Sequence, residues 1–296
     1  MPARISFVGF GEVAAAFSKA LRENGAEVAV YDVNLTRCGG QALLEKRARA
    51  PGIEFRPLAD ALRGADLVLS TVRPQTARAA ARECAAHLKP GQCYVDFNST
   101  SPALKLEIAS IVAPSGADFV EGAILGAVGA TGAATAALTA GRKGEMVAES
   151  LTRLGLRVSY LDGGVGRVSL YKMLRSSFSK GLEALLLELL LAARKAGLEK
   201  ELWQDVVVDL MTKTPFERVA SNWILTHPGA CERRHHEMKE VVEILRTLGT
   251  DPRMAAATEA FFGRSAALDF RKAFSEKPSS VGEVLDHMEQ HVGDRA

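Results

Sequence analysis

Lys172, Ser176, Ser179 and Glu183 recur at i, i+4, i+7 and i+11. On a helix turning about 100° per residue, that spacing puts four polar groups on one narrow face. An amine with a hydroxyl one turn away can exchange a proton with a substrate oxygen and hydrogen-bond it. Far upstream, Gly9-Phe10-Gly11-Glu12-Val13-Ala14 spells G-x-G-x-x-A, with Asp32 further along the chain. This is the chemistry of diphosphate binding. Gly9 makes a tight turn, Gly11 lets the backbone approach the phosphates, and Ala14 allows close helix packing. The diphosphate then meets the unpaired N–H groups and positive dipole of a helix N-terminus. Asp32 would accept hydrogen bonds from the adenosine ribose and repel a 2′-phosphate, so NAD is the expected cofactor. Arg37, five residues on, could reach such a phosphate, which keeps NADP as the alternative.

The surrounding pattern supplies the elements these groups need. Arg4–Gly9 reads as a strand, Glu12–Asn24 as an Ala-rich helix, and Glu27–Tyr31 as a second strand ending at Asp32. Alternation continues with strands at Asp66–Val72 and Gln92–Phe97, helices at Gln75–Leu88 and Pro102–Val112, and further strands opening at Ala117, Ala136 and Leu156. Such alternation predicts an α/β fold with a mostly parallel, doubly wound sheet. Ligands of such sheets lie beyond the carboxyl ends of the strands. The loops Thr71–Pro74 and Asn98–Ser101 are therefore placed to flank the cofactor.

After the turn Asp162-Gly163-Gly164 only helical periodicity remains. Past Gly166 the chain has no proline until Pro215 and is rich in Leu and Ala, which predicts one helix of about 30 residues, roughly 45 Å long. Its polar arc stops at Glu183. From Leu185 to Leu191 only Glu188 interrupts the apolar residues, so the second half is expected to be buried, and an apolar surface on all sides suits a homodimer. Further helices are expected at Leu198–Lys213, Ala230–Leu248, Pro252–Phe270 and Val281–His291. The predicted organisation is a dinucleotide-binding domain at 1–163 and an all-helical domain at 164–296, joined by the long helix.

Composition narrows the function classes. The chain has 296 residues, 47% hydrophobic and 24% charged, with a net charge of +2. That size suits two domains, and the near balance of charge suggests neither a nucleic-acid nor a membrane partner. No run is apolar enough to span a bilayer and the N-terminus opens directly into a strand pattern, so a cytoplasmic protein is expected. The four cysteines, Cys38, Cys84, Cys93 and Cys231, form no CxxC pair and read as reduced thiols. His235, His236 and Glu237 suggest a metal at first sight, but helix neighbours diverge by about 100°, so no metal site is expected. Arg175, Arg233 and Arg234 are candidates for gripping a carboxylate or phosphate.

Four blocks resemble the β-hydroxyacid dehydrogenases, which include 3-hydroxyisobutyrate dehydrogenase, tartronate semialdehyde reductase and 6-phosphogluconate dehydrogenase. They are VGFGEVAAAF at the N-terminus, DFNSTSP at Asp96–Pro102, FVEGAILGAVGATGAATAALTAG at Phe119–Gly141, and GVGRVSLYKMLRS around Lys172. The resemblance spans essentially the whole chain. It implies a Rossmann domain followed by a helical domain similar to the C-terminal domain of 6-phosphogluconate dehydrogenase, used for substrate binding and dimerisation. It also implies hydride transfer between a nicotinamide and a small β-hydroxy acid or its semialdehyde. In that reading Lys172 exchanges the proton on the substrate oxygen and Ser176 assists it. Cofactor contacts would come from Gly9, Phe10, Gly11, Glu12, Val13, Asp32, Thr71, Val72, Arg73, Asn98 and Thr100. Substrate contacts would come from Ser99, Gly122, Ala123, Leu125, Gly126, Lys172, Ser176 and His236. The chain departs from the family pattern at Leu125, which stands for a serine, at Val168 for a glycine, and at Ser176 for an asparagine. His236 replaces a second lysine and Glu237 an aspartate, the mark of a divergent subgroup. Two other readings share the architecture: an imine reductase, which generally lacks the lysine, and a non-catalytic dinucleotide sensor or scaffold.

Overall fold

A computed structural model describes residues 2–48 and 50–292. The chain divides into two compact units, residues 1–176 and 177–296, and the division falls inside a helix.

The first unit is built on one sheet. Its strands are β1 (Arg4–Val8), β2 (Glu27–Tyr31), β3 (Ile53–Phe55), β4 (Leu67–Ser70), β5 (Cys93–Asp96), β6 (Asp118–Ile124), β7 (Ala137–Ala140) and β8 (Val158–Tyr160), in the spatial order β3-β2-β1-β4-β5-β6-β7-β8. Neighbours are parallel except β6 and β7. All four residues of β4 and of β5 are buried, because helices cover both faces of a parallel sheet and leave no polar alternation. The helices are α1 (Glu12–Glu23), α2 (Gly40–Arg47), α3 (Leu58–Leu62), α4 (Ala77–Ala85), α5 (Pro102–Val112), α6 (Val128–Thr131) and α7 (Gly144–Arg153). Phe17 and Leu21 of α1 pack fully buried with Phe7 and Phe10 in one core, each contributing roughly 1.5–3 kcal/mol by leaving water. On the other face Tyr94, Ile108 and Val112 join Ala77, Ala81 and Cys84 in a second core.

The expected doubly wound α/β arrangement is present. The sequence pattern carries no signal for β3, α2, α3 and α7. β3 is a three-residue edge strand, half exposed along its length, so it offers no hydrophobic run to read. The segment between β6 and β7 carries α6 and a 3₁₀ turn at Gly132–Ala134, and its two ends meet where Leu125 N–H bonds Ala136 O at 2.8 Å, so β7 returns antiparallel beside β6.

Helix α8 runs from Arg167 to Ala196, 30 residues without a break, and the division between the units falls within it. Its first turns belong to the sheet unit, where Val168 is buried beside Ala123 and Ala140.

The second unit holds the rest of α8 with α9 (Glu199–Leu202), α10 (Leu210–Thr212), α11 (Phe216–Leu225), α12 (His227–Thr247), α13 (Arg253–Ala266), α14 (Phe270–Ala273) and α15 (Val281–Val292). The single helix expected at Leu198–Lys213 is wound as a π-helix over Trp203–Asp209. Pro215 starts α11, a helix that the sequence pattern does not mark. α12 and α13 are joined through Gly249, at φ +67°, whose N–H closes on Arg246 O at 2.8 Å in the usual glycine termination of a helix. Glu188 on α8 is buried and accepts the N–H groups of Met254 (2.7 Å) and Ala255 (2.9 Å), capping α13. The second half of α8 is not uniformly buried, contrary to the expectation from its leucines. Ala192 and Ala193 face the core, while Leu185, Leu187 and Leu191 are exposed in the single chain. No helix among the described residues is long and apolar enough to cross a membrane.

Candidate active site

Everything the motif at Gly9 requires is met by backbone geometry. Gly9 has φ +89°, and a Cβ there would stand 2.8 Å from Val72 Cγ1 and 3.0 Å from Thr71 O, so only glycine fits. Thr71 closes the same turn by donating its hydroxyl to Gly9 O at 2.8 Å. Gly11 is the N-cap of α1, extended, with no side chain capping the helix. A Cβ at Gly11 would meet nothing within 4 Å. No side chain caps the first N–H groups of α1, and Gly11, Glu12 and Val13 border clefts, the arrangement that receives a diphosphate.

Asp32 serves the protein as well as any ligand. Its carboxylate accepts Phe10 N–H at 2.7 Å, Asn34 N–H at 2.8 Å and Asn34 Nδ2 at 2.6 Å. It braces the glycine loop and caps the short 3₁₀ turn Val33–Thr36. Phe10 turns its ring into the core, edge-on to Phe55 at 5.1 Å, so only its backbone faces the loop. Arg47, which no sequence motif marks, reaches back to Phe10 O at 3.3 Å from the last turn of α2. Arg37 is tied to Asn34 Oδ1 at 3.2 Å.

A cleft of about 570 Å³ lies beyond β1, β2 and β4, lined among others by Gly9, Gly11, Asp32, Arg47, Val72 and Arg73. Tyr31, Glu83 and Cys84 also line it. Burial, then the charges of Glu83 and Asp32, raise the Tyr31 phenol, and burial followed by Glu83 pushes the Cys84 thiol up to about 12. Both groups are neutral at physiological pH, and neither supplies a nucleophile.

A second cleft of about 300 Å³ shares Thr71 and Val72 with the first. Glu12, Val13, Asn98, Ser99, Gly126 and Lys172 line it, with Ile124, Ala127 and Val128 as its apolar wall. Lys172 Nζ donates to Ser99 Oγ at 2.5 Å. Asn98 is buried, donating its N–H to Asp96 Oδ1 at 2.8 Å and its Nδ2 to Ser70 Oγ at 2.9 Å. Its Oδ1 has no partner among the described residues, and neither has the hydroxyl of buried Thr100. Buried acceptors are rarely left unsatisfied, and an acceptor beside the cleft fits a ligand bearing hydroxyl or amide donors. With the glycine cradle and the open start of α1, these residues fit a dinucleotide. Glu12 forms no ion pair or hydrogen bond among the described residues.

The loop carrying Ser99 rests on an internal ion pair. Lys105 and Asp96 are fully buried, and Lys105 Nζ bonds Asp96 O at 2.6 Å, Asp96 Oδ1 at 3.2 Å and Gly122 O at 3.2 Å. Burial pushes the Asp96 carboxyl up and the Lys105 ammonium down, and the contact between them works against both shifts. No periodicity marks this lysine in the sequence.

Other residues assigned from the sequence lie elsewhere. Gly122 and Ala123 are buried within β6, and a Cβ on Gly122 would run into the Phe97 ring at 2.5 Å. The cleft is touched by Ile124, Gly126, Ala127 and Val128 in their stead. Leu125 turns half away, and its carbonyl accepts Arg175 Nη1 at 3.0 Å, which engages one of the arginines considered for substrate. Ser176 is half buried and is not a lining residue of the cleft. His236 belongs to the second unit, where it is bonded through Nδ1 to Glu232 O at 2.8 Å. His235 pairs with Glu259 at 2.6 Å, and no group of three His, Cys, Asp or Glu is assembled for a metal among the described residues.

Comparison with known proteins agrees with this geometry. A family model described as the NAD binding domain of 6-phosphogluconate dehydrogenase matches residues 4–160, and one described as a domain of unknown function matches residues 193–265. An uncharacterized 28.5 kDa protein of Methanothermus fervidus is 26% identical over 268 residues, which are 88% of this chain and 97% of that protein. A solved conserved protein of unknown function, described as structurally similar to 3-hydroxyacid dehydrogenases, is 32% identical, covering 88% of this chain and 96% of its own at a TM-score of 0.60. An imine reductase from Bacillus cereus shares the fold at 14% identity, with a TM-score of 0.75 over 97% of this chain and 99% of its own. The chain belongs to the family of the NAD-binding domain of 6-phosphogluconate dehydrogenase, as a divergent member.

Proposed function

We propose that the protein is a nicotinamide-dependent dehydrogenase or reductase that interconverts a small β-hydroxy acid and its semialdehyde or keto form. The bond from Lys172 Nζ to Ser99 Oγ supports this reading, because the amine and the hydroxyl meet in a cleft that shares Thr71 and Val72 with the one the glycine loop lines. When bound, the nicotinamide gives or takes the hydride. Lys172 gives the matching proton to the substrate oxygen in reduction and takes it in oxidation. Ser99 orients the amine and hydrogen-bonds the same oxygen. Ser176, one turn further along α8, is assigned a supporting bond to the substrate. Ile124, Ala127 and Val128 bound the pocket on its apolar side, which suits a short carbon chain.

NAD is the proposed cofactor over NADP, because the Asp32 carboxylate lines the cleft where a 2′-phosphate would sit. The exposed Leu185, Leu187 and Leu191 on α8 support a homodimer that covers them. A monomeric elution at micromolar concentration would contradict it.

One observation favours a second reading. Glu12 puts a carboxylate, unpaired among the described residues, in the same cleft, and a cationic iminium would be drawn to it, as in a reduction of imines. Incubating the protein with NADH and, separately, small semialdehydes, keto acids and cyclic imines tests the choice by loss of the reduced-nicotinamide absorbance. Consumption with the semialdehydes or keto acids supports the first reading, consumption with imines alone selects the second, and consumption with none contradicts both.

A further inference from the structure

Two buried charged groups, neither of which lines the two clefts described above, are bonded to the elements that carry Ser99 and Lys172. The first is Glu121, fully buried on β6. Its carboxylate accepts the N–H groups of Gly166 at 2.7 Å, Val168 at 3.2 Å and Ser169 at 2.7 Å. First-turn N–H groups have no partner within their own helix. The residue before α8 is Gly166, which has no side chain to cap them. The cap therefore comes from another element, and it fixes the start of α8 to β6. The second group is Lys105, whose ammonium bonds Gly122 O, next to Glu121, and Asp96, whose Oδ1 also holds the N–H of Asn98.

We propose that Glu121 and Lys105 are positioning residues that hold the Lys172 amine on Ser99, a role that rests on the proton-exchange assignment of Lys172. The contacts form a closed circuit. From Ser99 it passes through Asn98 and Asp96 to Lys105, then to the carbonyl of Gly122 and its neighbour Glu121. From Glu121 it enters the first turn of α8 and returns from Lys172 Nζ to Ser99 Oγ. Packing reinforces it, since a Cβ at Gly166, with φ +102°, would stand 3.4 Å from Pro102 Cβ, just past the Ser99 loop. A helix that needed only capping would be served by a serine or aspartate of its own. Burying a carboxylate and an ammonium instead is costly unless each is fully bonded. Here the bonds run to Asp96, just ahead of Ser99, to the first turn of the helix that carries Lys172, and to the Gly122 carbonyl on the strand that carries Glu121.

Hydrogen exchange and competitive acetylation of lysines, both read by mass spectrometry on the full-length protein, test this without a substrate. In the wild type the amides at 166, 168 and 169 should exchange as slowly as those of the sheet, although they head a helix; fast exchange there overturns the proposal. Glu121→Gln and Lys105→Met should both accelerate exchange at 98–101 as well as at 166–172. Acetylation of Lys172 relative to exposed Lys277 should rise about fivefold, the population change that one net hydrogen bond is worth. Ser99→Ala should raise it equally, and adding Glu121→Gln to Ser99→Ala should raise it no further. Faster exchange confined to 166–169, with Lys172 acetylation unchanged, would reduce Glu121 to a local cap and overturn the proposal. Should neither variant fold, the wild-type exchange rates decide. If the circuit holds and no substrate is turned over, it is the functional reading that fails.

Discussion

Lys172 Nζ lies 2.5 Å from Ser99 Oγ, bonding the second turn of α8 to the loop between β5 and α5. The two residues are distant in the chain and share no local pattern. What brings them together is the carboxyl end of a parallel sheet, where strand-to-helix loops collect. The glycine loop and Asp32 line the neighbouring cleft, so the proposed cofactor and the proposed proton-exchanging pair would meet at the same end of the sheet.

Asp32 is expected to govern both affinity and cofactor choice. Replacing it with alanine removes the acceptor for Phe10 N–H and for Asn34. NADH should bind at least about tenfold more weakly, in line with roughly 1.5–3 kcal/mol for hydrogen bonds to a charged group. NADPH should lose less, because a repulsive charge goes with them. Fluorescence titration of both nucleotides measures this, and tighter binding of NADPH than NADH by the wild type would remove the role assigned to Asp32.

Glu12 works against the cofactor it stands beside. Its carboxylate is unpaired among the described residues and heads the helix whose N–H groups would receive the proposed diphosphate. Glu12→Gln should tighten NADH binding roughly threefold at low ionic strength, with the gain fading as salt screens the repulsion. A gain that persisted in molar salt, or a loss of affinity, would give the side chain a different part.

Thiol chemistry should distinguish one cysteine from three. Cys38 is exposed, whereas Cys84, Cys93 and Cys231 are buried. Burial raises the thiols of all three, that of Cys84 to about 12. A raised thiol stays protonated at pH 8 and does not attack a disulfide reagent. Ellman's reagent should therefore titrate one thiol in the native protein and four in denaturant. A second fast-reacting thiol in the native state would contradict the packing described for β5, α4 or α12.

His227 should make the helical unit acid-sensitive. It is buried against Phe261, Phe262 and Phe270, its Nε2 has no partner among the described residues, and burial followed by Arg234 lowers its pKa below 6.5. The unfolded chain then binds a proton that the folded chain refuses, so stability falls as pH drops below the unfolded value of about 6.5. The loss ends once the pH passes below the folded value. Comparing denaturant midpoints at pH 7.5 and 5.5 should show this loss, and His227→Phe should reduce it. An equal loss in the variant would assign the effect to other groups.

Residues whose role lies in backbone geometry or in periodicity are legible in the amino-acid sequence. Gly9 announces a turn that no other residue makes, Asp32 follows a strand, and Lys172 with Ser176 lies on a helical face. What the sequence conceals shares one cause, which is partnership with main-chain groups of remote segments. Glu121 looks like one more residue of an apolar strand, Lys105 like a solvated helix lysine, and Glu188 like a break in a row of leucines, yet each is buried on backbone groups elsewhere. The resemblance assigns substrate contacts to Gly122 and Ala123; both are buried within β6, and the cleft is lined from Ile124 onward. The exposed leucines of α8 show the same limit, because periodicity identifies an apolar surface and leaves open what covers it.

The most direct test of the central claim is Lys172→Ala, assayed in the reductive direction alongside NADH titration. Lys172 bonds Ser99 and is not among the residues lining the larger cofactor cleft, so NADH affinity should stay within about twofold of wild type. Turnover of the preferred semialdehyde or keto acid should fall by about 10²–10⁴, the range expected when a positioned acid or base is lost. A variant that turned over substrate as fast as wild type would contradict the assignment of Lys172.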